Sequence, residues 1–186
     1  MGIRIPNLSV PFDRLARLAR VMEVLTIIGI VIITVLMAFG FLIPNWTRNI
    51  VLAKLGQGGA ALPITPLTQS LAGVVIAVPV GVMLYGLFAV RALFREFASG
   101  RVFTALAARH LQTFGATVLA QGPLGPFTSA ALSAALSLGN PPGERAIVIT
   151  FSINDYFALI VGGALFAVAT VIREAVRLAD ENASFV

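Results

Sequence analysis

"VLTIIGIVIITVLMAFGFLI", residues 24–43, runs for 20 residues without a charge and is closed by Pro44. A helix rises about 1.5 Å per residue, so this stretch matches the ~30 Å hydrocarbon core of a bilayer. The rest of the chain agrees with that solvent. Of its 186 residues 58% are apolar and only 11% charged, with a mean hydropathy of +0.95. Soluble domains carry about a quarter charged residues. A cleaved signal peptide is the rival for this first stretch. Its apolar core is too long for one and no small-residue cleavage site follows, so an uncleaved anchor is expected.

Three further stretches have the length to span: residues 71–90, residues 111–138 and residues 156–172. The expected fold is therefore all-α: a four-transmembrane-helix integral membrane bundle, a single membrane domain over 1–186. Positive loops stay cytoplasmic. Ten of the 13 Lys and Arg fall before the first span, between the second and third, or after the fourth; Arg48, Lys54 and Arg145 fall in the opposite loops. Both termini, the hairpin turn 91–110 and the tail 173–186 are accordingly placed in the cytoplasm. Trp46 suits the aromatic belt on the other side. In the loop 44–70, "WTRNIVLAKL" (46–55) is expected as a short surface helix whose Ile50, Val51 and Leu55 dip into lipid. "GQGGAALPITP" (56–66) is expected as a flexible turn.

The densest polar sequence is "LFREFASGRVF", residues 93–103. Val90, Leu93, Phe94 and Phe97 recur at helical spacing opposite Arg91 and Arg95, which extends the second helix past the membrane. Gly100 can stop it in a left-handed conformation. Thr104 can cap the next helix, with Phe103, Leu106, Ala107, Leu111 and Phe114 as an apolar stripe. The candidate interaction face comprises Arg91, Arg95, Glu96, Gly100, Arg101, Phe103, Thr104 and Arg109. The plainer account is that these arginines only anchor a hairpin to headgroups, each contributing about 1 kcal/mol near an anionic leaflet.

"LFREFASGRVFTALAARHLQTFG" resembles the bacterial membrane family called domain of unknown function 2975. The matching positions are Leu93, Phe94, Arg95, Gly100, Arg101, Val102, Phe103, Thr104, Leu111 and Gly115. The tail "VIREAVRLADENASFV" is similar to the family's ending. Ala105, Leu106 and Ala107 stand where members often carry an acidic-Asn pair, Ala175 where a Gly is usual, and Ser-Phe-Val where the end is Leu-Thr-Val. The resemblance implies four spans in a bacterial inner membrane and no particular reaction. It implies at most a membrane partner in regulation, since members are thought to be encoded beside small helix-turn-helix regulators.

Chemistry-bearing patterns are sparse. There is no cysteine and a single histidine, His110, so no metal or cofactor is expected. Glu96, Glu174, Asp180 and Glu181 could cluster near His110, but as solvated rims rather than the positioned groups of acid–base catalysis. An enzyme is not expected, nor direct nucleic-acid binding, because the basic residues form no single solvated patch. Glu23 is expected to pair locally with Arg20, and Asp155 to cap the fourth span. Pro79, and Pro123 with Pro126, are expected to break the second and third spans, with Gln121, Thr128 and Ser129 near enough to satisfy freed carbonyls. Two readings of function result. One is a non-enzymatic binding or regulatory component, its partners the bilayer and a cytoplasmic regulator or another membrane subunit, self-association remaining open. The alternative is a small transporter or channel using Pro79, Gln121, Pro123 and Pro126.

Overall fold

The structure, a computed structural model, describes residues 9–42, 44–55, 65–141, 143, 145 and 147–183. Side chains at 9–13, 41–47 and 183, Trp46 among them, lie outside what is described, as does most of the expected turn 56–66. Five helices account for nearly all of the described residues, with no strand among them: α1 (Ser9–Leu42), α2 (Pro44–Leu55), α3 (Pro66–Ala98), α4 (Ala105–Ser137) and α5 (Ile153–Ala183). Pro44 and Pro66 each open a helix, where a missing N–H costs nothing. Thr65 caps α3 reciprocally, its hydroxyl accepting from the Thr68 N–H at 3.2 Å while the Thr68 hydroxyl accepts from the Thr65 N–H at 2.8 Å.

Helices α1, α3 and α5 are long and apolar enough to cross a membrane. Their outward side chains are apolar: Val24, Leu25, Val31 and Ile32 on α1 and Val161, Val168 and Val171 on α5 are exposed. In water such surfaces would drive association; against lipid they are an ordinary exterior. Helix α4 differs. It covers 33 residues, including all but the last residue of the expected span 111–138, yet it is not among the three apolar ones. Its buried residues include Thr117, Thr128, Ser129, Ser133 and Ser137.

That difference follows from position. The helices lie in a row, α1–α3–α4–α5, in which each packs extensively only on its neighbours. Among the described residues the bundle is thus an open layer. Small residues on α4 make this possible. Ala108, Gly115, Gly122 and Ser129 recur every seven residues and all are buried. A Cβ on Gly115 would stand 2.6 Å from the Phe166 nitrogen of α5, and one on Gly122 would meet the Leu159 side chain. Gly162 of α5 lies equally close against the backbone at Leu119, and Gly86 of α3 against Thr117. Backbones that approach this closely gain dispersion contacts that lipid cannot replace.

Helix α2 forms as expected, but its apolar face turns inward. Val51 and Leu55 are buried with Ala72, Leu132 and Leu136, and Val75, Ile76 and Val148 pack on this core. They therefore plug the end of the row rather than dipping into lipid, because α3 and α4 leave apolar side chains to cover there. Beside them an extended segment returns along α4: the Val148 N–H donates to the Ser133 hydroxyl (2.8 Å) and the Thr150 N–H to the Ser129 hydroxyl (2.9 Å). Asp155 then caps α5 reciprocally with Ser152 at 2.8 and 3.2 Å.

The expected proline breaks are absent, since α3 runs unbroken through Pro79 and α4 through Pro123 and Pro126. In a dry environment a break would strip several backbone groups of partners at once, whereas each proline removes one donor. The side chains of Gln121 and Ser129 bond to the prolines' own carbonyls, not to those of Val75 and Gly122 that Pro79 and Pro126 free. Gln121 Nε2 donates to the Pro79 carbonyl at 2.8 Å, and the Ser129 hydroxyl to that of Pro126 at 2.9 Å.

Candidate functional site: the α3–α4 turn

The candidate residues converge where α3 ends. The Ser99 N–H reaches the carbonyls of Arg95 and Glu96, both at 3.2 Å, and the Arg101 N–H returns to Glu96 at 3.0 Å. Closing the chain on itself so tightly requires a left-handed residue, and Gly100 supplies it with φ of 79°. Thr104 follows in extended conformation and caps α4 by accepting from the Ala107 N–H at 3.1 Å. Gly100 and Thr104 therefore shape the turn. Phe103 is 79% exposed and does not join a buried stripe.

The turn carries a rigid ion pair. Arg101 donates to both oxygens of Glu96, through Nε at 2.7 Å and Nη2 at 3.0 Å. This fork raises the affinity of Arg101 for its proton above an already high ordinary value, so the group is cationic throughout the physiological range. Glu96 and Arg101 line a depression of about 350 Å³ together with Phe88, Arg91, Ala92, Arg95 and His110. A second depression, of about 340 Å³, adjoins it and shares Phe88, Ala92 and His110, adding Tyr85, Leu106 and Arg109. Arg91, Arg95, Glu96, Arg101 and Arg109 are thus brought together around a histidine.

Two pairings differ from expectation. Glu23 of α1 faces Arg91 of α3 across the helix boundary at 4.0 Å instead of Arg20 on its own helix. Antiparallel packing of α1 on α3 brings that guanidinium alongside. Of the four carboxylates expected near His110, only Glu96 lines its depression. Glu174 and Glu181 instead flank Arg177 on α5, which donates to Glu174 through Nε at 3.2 Å and reaches Glu181 at 3.3 Å. Sequence reasoning passed over Gln112. It accepts from Arg173 Nη1 at 2.8 Å and donates to Thr170 at 3.4 Å, tying the last turns of α5 to the start of α4. The available signal was a polar residue on each of two apolar helices, and only their register pairs them.

The other candidates lie elsewhere. Pro79 and Gln121 meet in the middle of the α3–α4 contact, while Pro123 and Pro126 sit further along α4, away from the turn. Near Pro126, at the opposite end, Lys54, Ser129, Thr150, Ser152 and Asp155 border a depression of about 220 Å³. Among the described residues no three His, Asp or Glu side chains are grouped to hold a metal ion.

Among the described residues the class is all-helical: five helices, three of them long and apolar enough to cross a bilayer. Residues 58–186 match the family described as "Protein of unknown function (DUF2975)", and the chain belongs to that family. The match takes in α3, α4, α5 and the whole of the turn. No curated protein and no solved structure matches the chain.

Proposed function

We propose that this chain is a non-enzymatic binding or regulatory component of a bacterial inner membrane, crossing it four times with both ends in the cytoplasm. The supporting observation is convergence: Arg91, Arg95, Glu96, Arg101, Arg109 and His110 gather at the end where Arg173 also bonds Gln112. Helix α4 crosses as the third of the four spans, its hydroxyls and glutamines turned to α3, α5 and its own carbonyls rather than to lipid. The charge bias places the α3–α4 turn and the α5 tail inside, where they present one face to a cytoplasmic regulator or another membrane subunit.

Reporter tags inserted after Ser99 and after Gln57 are expected to give opposite compartments; a shared compartment would remove the four-span arrangement. Affinity capture from solubilised membranes is expected to retrieve a partner that Arg95→Ala releases. Capture of no Arg95-dependent partner defeats the docking role. A transporter gains no comparable support, because the Gln121 side chain is already engaged by the Pro79 carbonyl.

A further inference from the structure

We infer that the two adjoining depressions between α3 and α4 form one binding groove for an anionic phospholipid. Its phosphate would lie against Arg95, Arg101 and His110, and an acyl chain along Tyr85 and Phe88. The inference deepens the membrane reading above and rests on it, since it takes the α3–α4 turn to lie at headgroup level.

Continuity is the first support. The depressions share Phe88, Ala92 and His110, so a single molecule can occupy both. The second is a one-way change of polarity along the groove. Arg95 and Arg101 stand at the turn, whereas Tyr85 and Phe88 lie two to three helical turns deeper on α3. Ten residues separate Tyr85 from Arg95, about 15 Å along a helix. That distance reaches from the headgroup layer into hydrocarbon. The deeper end is also open sideways: Tyr85 is 62% and Phe88 51% exposed, which lets a chain enter from the bilayer.

Charge is the third support. The carboxylate that lines the groove, Glu96, has both oxygens bound by Arg101. Glu23 faces Arg91 and Glu96 holds Arg101, so Arg95 is the one of the three left to give a positive excess. Arg95 forms no ion pair among the described residues. A phosphodiester supplies the acceptor oxygens that guanidinium groups bind well. Inorganic phosphate offers the same oxygens without the acyl chain, and the two sources differ in what the deeper end contributes.

The test is native mass spectrometry on the purified full chain in detergent, without any partner protein. Dioleoyl phosphatidylglycerol, dioleoyl phosphatidylcholine and inorganic phosphate are titrated separately. One phosphatidylglycerol per chain is expected at about tenfold lower concentration than phosphatidylcholine, with no retained phosphate. Arg95→Gln combined with His110→Gln, which leaves the Glu96–Arg101 fork intact, is expected to abolish that preference. Tyr85→Ala with Phe88→Ala should weaken both lipids alike. Unaltered helix content by circular dichroism certifies that each variant is folded. Equal retention of the two lipids, preference surviving the Arg95/His110 change, or phosphate binding as tightly as lipid overturns the inference. Capture of an Arg95-dependent partner by a chain that retains no lipid would assign the groove to protein contact. The tags at Ser99 and Gln57 test membrane orientation separately, so failure of the lipid site and failure of the broader reading give different results.

Discussion

Gly100 and Thr104 divide the work of reversing the chain, and substitutions should separate their contributions. At φ of 79° any residue with a Cβ is strained although open space surrounds the position. Gly100→Ala is expected to cost roughly 1–2 kcal/mol through the backbone alone. Thr104→Ala removes the oxygen that receives the Ala107 N–H and is expected to cost about 1 kcal/mol, while Thr104→Asn restores it. Reversible denaturation in detergent checks all three. Both roles were legible in the sequence because each is local: a glycine ends one helix and a hydroxyl begins the next. The partner of Glu23 was not legible, since Arg20 is a sequence neighbour and Arg91 becomes adjacent only after α1 docks on α3.

At the scale of elements, the α4–α5 contact depends on which glycine of a pair is altered. A Cβ on Gly162 would intrude on the backbone at Leu119, whereas one on Gly163 would meet only the Leu119 side chain at 4.0 Å. Gly162→Leu is therefore expected to destabilise the helix pair by about 1–3 kcal/mol through overpacking. Gly163→Ala should leave the melting temperature in detergent nearly unaltered. Helix existence was legible from apolar runs, which gave all four long helices and also α2. Their continuity through Pro79, Pro123 and Pro126 was not. Each proline costs its helix one hydrogen bond, whereas a full break in hydrocarbon would strand several backbone groups, a balance set by the surrounding solvent and not by the local sequence. The inward turn of Val51 and Leu55 was equally hidden, because spacing shows that a helix has an apolar face but not what covers it.

Across the whole molecule, the described helices are joined unevenly. Among described α1 side chains only Ala19 and Thr26 are buried, while α4 buries residues along its entire length. A chain with a protease site inserted after Gly59 should release α1 and α2 at a lower dodecyl sulfate concentration than a chain cut after Gly143 releases α5. Gel mobility after cleavage measures the difference, and equal thresholds would show that α1 is held as firmly as α5. The serial row also bears on how the protein is made. Each long helix settles beside the long helix synthesised just before it, so the layer can grow from one margin as the polypeptide leaves the ribosome. No finished pair has to part to admit a latecomer, and the glycine-rich seam closes as α5 follows α4 out of the ribosome.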